Sequence, residues 1–147
     1  MSHDPNADPF DLQRFVTAQA PIYDRVCREL VAGRKQSHWI WFIFPQMRGL
    51  GRSETARFYG IASRQEAQAY ATHPLLGTRL RQCVMLVQAI QGRTLAEIMT
   101  APDDLKFVSS MTLFAEVAVD PAPFAAALDK YAAGARDAAT LALLAKS

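Results

Sequence analysis

Three stretches of the chain hold side chains that could do chemistry. The first is His38-Trp-Ile-Trp-Phe-Ile-Phe-Pro-Gln46, in which Trp39, Trp41, Phe42 and Phe44 crowd four aromatic rings into six residues. On a helix, rings so spaced point all round the axis. Such an element is either buried on every side or lines a cavity. It reads as a core segment, since large aromatics dominate cores, or as a stacking wall for a base or another planar ligand. In the second case His38 and Gln46 would supply directional hydrogen bonds. The second stretch is Arg48-Gly-Leu-Gly-Arg-Ser53. Gly49 and Gly51 permit a concave backbone with N–H groups turned inward. Arg48 and Arg52 add positive potential ahead of a helix start at Ser53, which suits a phosphate. The plainer alternative is a turn closed by a Ser53 N-cap. The third stretch is Asp103-Asp-Leu-Lys-Phe-Val-Ser-Ser-Met-Thr112. Lys106, Ser109, Ser110 and Thr112 are polar groups in an otherwise apolar helix. Their hydroxyls need partners, either carbonyls one turn back or a ligand. Asp104, and after it Asp103, are the candidate carboxylates for hydrolysis of an N-glycosidic bond, where one would stabilise an oxocarbenium-like centre or activate water. Alternatively both complement the helix dipole.

Other chemistries are excluded or disfavoured. His38 and His73 are the histidines within the expected fold, and no HExxH or other metal-ligand spacing surrounds them, so no metal is expected. No nucleophile elbow, P-loop or dinucleotide fingerprint is present, and no cofactor is implied. Sixteen Lys and Arg against fourteen Asp and Glu give +2. That balance argues against nucleic acid, although Arg34, Lys35, Arg48 and Arg52 would suit single strands if they met exposed tryptophans. Trp39–Phe44 is the longest apolar run, far too short for a bilayer. The opening Met1-Ser-His-Asp-Pro lacks a signal-peptide layout. Cys27 and Cys83 fit free thiols on apolar helical faces in a reducing cytoplasm. Nothing specifies an oligomeric state.

The elements that must position these residues are helical. At 147 residues, half of them hydrophobic, the chain can bury one ordinary core. A loose leader over 1–10 precedes a single helical domain over 11–147. Apolar residues at helical spacing predict helices over 11–19 and 21–32, with Pro21 at a first turn and Gly33 as a stop. The aromatic run predicts a short buried helix ending at Pro45. Further helices are expected over 54–59, from the capping-box spacing Ser63…Glu66 to 72, and from His73-Pro74 to 91. The last of these is the longest, and its apolar stripe makes it the expected centre of the fold. Thr94…Glu97 opens a short helix, and others run over 102–118, from 123 to Gly134, and over 137–145. The fold class is an irregular all-α single domain.

His38-Trp-Ile-Trp-Phe-Ile-Phe-Pro-Gln46, Gly49-Leu-Gly51-x-Ser53, His73-Pro74-x-x-Gly77-x-Arg79-Leu80 and Asp103-Asp104-x-Lys106-x-x-Ser109-Ser110-Met111-Thr112-x-Phe114 together resemble the domain of unknown function 1810 family. The opening Asp11-Leu-x-Arg14-Phe15-x-x-Ala18-Gln19 fits it too. The resemblance implies a small, mainly helical bacterial protein and no particular activity. A looser likeness, in size, helical character and aromatic content, is to the small helical NADAR proteins acting on ADP-ribose and related N-glycosides; no residue role carries over. The leading expectation is therefore a pocket for a nucleotide or ADP-ribose-like molecule. Trp39 and Trp41 would stack, the Gly49–Ser53 loop would hold phosphate, and the polar groups of 106–112 would orient the rest. The competing expectation is an interaction or structural protein whose aromatics are sealed in the core.

Overall fold

The computed structural model describes residues 7–147. Ten α-helices and no strand are found among them: α1 Gln13–Gln19, α2 Tyr23–Val31, α3 Ile40–Ile43, α4 Glu54–Tyr59, α5 Arg64–Thr72, α6 Leu76–Ala89, α7 Leu95–Met99, α8 Asp103–Val117, α9 Ala122–Ala132 and α10 Ala138–Ala145. None of them is long and apolar enough to cross a membrane. Residues 1–6 of the expected leader lie outside the described residues. The rest of it is tied down, because the Asp8 carboxylate accepts the Leu12 and Gln13 N–H groups and Phe10 packs on the core.

Local chemistry sets the helix ends. Ser53 and Asp137 accept backbone N–H groups of the first turns of α4 and α10. Thr94 and Glu97 complete a capping box at α7. At α5 only half of the expected box forms. Ser63 caps the Glu66 N–H, but the Glu66 side chain reaches the Ala62 N–H and pairs with Arg14 at 2.7 Å. Arg14 donates five hydrogen bonds, to the carbonyls of Phe10, Asp11, Phe58 and Gly60 and to Glu66. It thereby fastens the start of α1 to the end of α4 and the start of α5.

The centre of the fold is α8 rather than α6. It packs against α3, α5, α7, α9 and α10. Every residue from Ser109 to Ala115 is buried, which a one-sided apolar stripe like that of α6 does not achieve. The aromatic run does form a short helix, α3, but its rings divide. Trp39 and Phe44 are sealed in the core, with Phe44 edge-on to Phe107 of α8. Trp41 and Phe42 are only partly buried against it. Cys27 and Cys83 are free, and burial pushes the Cys83 thiol up to about 12.

Candidate ligand-binding site

With 100° per residue, the polar side chains of α8 fall on two different faces. Asp103, Lys106 and Ser110 share a strip with Phe107 and Phe114, the strip that meets α3 and α5. Ser109 and Thr112 lie on the opposite side, towards α10. There the Ser109 hydroxyl lies 3.1 Å from both the Leu105 carbonyl and the Asp137 carboxylate, which share its one proton. Thr112 Oγ1 donates to the Val108 carbonyl and accepts the Asp137 N–H. Asp137 also caps Thr140. These two hydroxyls, grouped with the ligand contacts on sequence, are thus fully occupied in docking α10.

The strip facing α3 is different. Lys35, its side chain 5% exposed, lies 2.8 Å from Asp103 Oδ2 and donates to the Ser37 carbonyl. On the other side of the same carboxylate, Lys106 Nζ is 3.6 Å from Oδ1, and its side chain is 24% exposed. The two ammoniums cover two indole rings, Lys35 over Trp39 and Lys106 over Trp41, each 5.0 Å from the ring centroid. Beneath Lys35, Glu29 accepts the Gln36 and Ser37 N–H groups, the Ser37 hydroxyl and the Trp39 indole N–H. Burial alone would raise the Glu29 pKa. The hydrogen bonds outweigh it and bring the carboxyl from its ordinary 4.5 down to about 2. Trp41 has no such acceptor. Its Nε1 and the Ser110 hydroxyl are the two buried side-chain polar atoms without a partner among the described residues. A buried donor left unbonded costs roughly 1–3 kcal/mol, so each calls for an explanation.

The glycine loop is built for packing. The loop is held by hydrogen bonds from the Ile61 N–H to the Gln46 carbonyl and from the Arg48 N–H to the Ile61 carbonyl. Gly49 has φ +106°, and a Cβ on Gly51 would come within 2.6 Å of the Ala56 Cβ. Ser53 already occupies the Ala56 N–H. Gln46 is buried, and Arg48 and Arg52 are exposed. Arg48 opens onto a cleft of about 500 Å³ shared with Arg57, Arg14 and Glu66. The lining of that cleft includes neither Trp41 nor Lys106. His38 is exposed, while His73 Nδ1 accepts the Leu75 and Leu76 N–H groups at the start of α6. Asp104, preferred on sequence as the catalytic carboxylate, turns Oδ1 back to the Leu105 N–H; Asp103 is the one between Lys35 and Lys106. No group of three His, Cys, Asp or Glu side chains that could hold a metal is found among the described residues.

The family profile described as a protein of unknown function, DUF1810, matches residues 9–144. The chain belongs to this family. It is also similar to a solved structure, that of the conserved hypothetical protein Rv1873 from Mycobacterium tuberculosis. The two share 58% identity and a TM-score of 0.93 over 94% of this chain and 99% of that one. No curated protein matches.

In this DUF1810 chain, three groups that partner the named residues escaped the sequence reading, Glu29 and Lys35 beside the seam and Asp137 on the opposite side of α8. Glu29 carried a usable signal, a carboxylate on α2 between buried Val26 and Leu30. Lys35 sits in a loop and stood out only as one of several surface cations. Asp137 could be read as a helix cap, but its bond to Ser109 spans 28 residues and has no local mark.

Proposed function

We propose that the protein binds a small molecule at the seam between α3 and α8, with the half-buried Trp41 ring as its stacking surface. The observation that carries this reading is the indole N–H of Trp41, buried and unbonded beside a partly exposed Lys106. A ligand that stacks on the ring and accepts that N–H would fit the nucleotide or ADP-ribose-like class expected from sequence. The role we propose is binding rather than hydrolysis. Asp103 has both oxygens beside ammonium groups, and Asp104 is bonded to its own helix, so neither carboxylate is held ready to activate water. We place this binding in the cytoplasm of a bacterial cell, in keeping with the two free thiols and the mycobacterial relative. A thermal-shift comparison tests the reading. AMP, ADP-ribose or NAD at millimolar concentration should raise the melting temperature of the wild type and not that of Trp41→Ala. Equal shifts in both proteins, or none in either, would refute it.

A further inference from the structure

Resting on that reading of the seam, we infer that its ligand presents an oxyanion, a phosphate or a carboxylate, to Lys106, Trp41 and Ser110. The first argument is the inventory of donors. An indole N–H and an ammonium can only donate, and a serine hydroxyl can do either. Two of these groups, Trp41 Nε1 and Ser110 Oγ, have no partner. The third, Lys106 Nζ, stands 3.6 Å from Asp103, outside hydrogen-bond distance, whereas Lys35 holds the same carboxylate at 2.8 Å. The acceptor on this strip, Asp103, has an ammonium beside each of its oxygens. A ligand that brings donors finds one acceptor here, Asp103 Oδ1, with the Lys106 ammonium standing 3.6 Å in front of it, while one that brings acceptors finds two unbonded groups and that same ammonium.

Charge gives the second argument. One carboxylate shared by two ammoniums leaves one positive charge uncompensated, and the exposures place it. The Lys35 side chain is sealed by Trp39 and the Ser37 carbonyl, while that of Lys106 reaches solvent. Glu29, the next carboxylate along, is committed to Trp39, Ser37 and Gln36, with Arg25 beside it at 3.5 Å. An anion arriving at Lys106 therefore meets a net positive site with low solvent exposure on its inner side, where charge-assisted hydrogen bonds are strongest. A cation would be repelled. This anion position differs from the one expected at the glycine loop, where the first-turn N–H of Ala56 is already taken by Ser53.

The test is a titration of the ¹⁵N-labelled full chain, read at its two indole N–H signals. Trp39 serves as the internal control, because its N–H is bonded to Glu29 at 2.9 Å. The probes are AMP, adenosine, inorganic phosphate and acetate. AMP should move the Trp41 indole proton downfield and leave Trp39 in place, and should bind at least about tenfold more tightly than adenosine. Phosphate or acetate alone should move the same signal more weakly, and which of the two acts at lower concentration names the oxyanion. Lys106→Met should remove the AMP advantage over adenosine, and Lys106→Arg should restore part of it. If AMP and adenosine bind equally and Lys106→Met changes neither, the oxyanion inference falls while the ligand seam survives. If phosphate moves the Arg48 and Arg52 amides instead of Trp41, the anion belongs to the loop and the inference is overturned. If no probe moves any signal of α3 or α8, both readings fall together.

Discussion

Ser109 and Ser110 are neighbours on α8 and live under opposite conditions. Ser109 bonds a carbonyl and a carboxylate, and Ser110, deeper still, bonds nothing. Trp39 and Trp41 repeat the contrast two residues apart, one indole N–H held by Glu29 and the other empty. On the α10 side and beneath Lys35, this fold completes the hydrogen bonding of what it buries. At the α3–α8 seam it does not. A protein that satisfies such groups elsewhere in the same helix carries the cost at the seam for something other than folding.

Substitutions on the completed side should damage stability and those on the open side should not. The largest effect is expected at Glu29. Glu29→Ala removes the acceptor for the Trp39 indole and three other donors, and should lower the unfolding free energy by roughly 3–5 kcal/mol in urea denaturation. Next comes the pH response. The Glu29 carboxyl titrates lower in the folded chain than in the unfolded one, so the unfolded state takes up protons first as pH falls. The stability it contributes is full above about 4.5 and is lost as pH drops towards about 2. Glu29→Gln, carrying no charge to titrate, should flatten this part of the pH profile. A smaller difference separates the two serines. Ser109→Ala should cost about 1 kcal/mol, because Asp137 loses a donor, while Ser110→Ala should change stability by less than about 0.5 kcal/mol in either direction. Equal costs at the two positions would erase the distinction between the faces.

Most helices were legible in the sequence because their signals are local. Ser53, Ser63, Thr94 and Asp137 stand where caps belong, and Gly33 and Gly134 follow helix ends with positive φ. The rank of α6 and α8 was misjudged for a related reason. A clear stripe marks a helix with one exposed side, whereas a helix buried all round, as α8 is from Ser109 to Ala115, shows a blurred one. The candidate site was only partly legible. Asp103, Lys106 and Ser110 were named from residue type and lie along one strip of α8, with Trp41 of α3 against Lys106. Ser109 and Thr112 were named with them because type alone cannot tell which side of α8 meets Asp137. The glycine loop looked like an anion cradle because a backbone that must pass close to Ala56 and one that must pass close to a phosphate both require glycine.

The role of Trp41 is open to a single direct measurement, the calorimetric affinity of AMP for the wild type and for Trp41→Phe. The substitution keeps an aromatic ring for stacking, though a smaller one, and removes the indole N–H as a donor. The expected result is binding weakened by about tenfold, the worth of one such hydrogen bond. Unchanged affinity for AMP in Trp41→Phe would contradict the claim that this N–H is held open for a ligand.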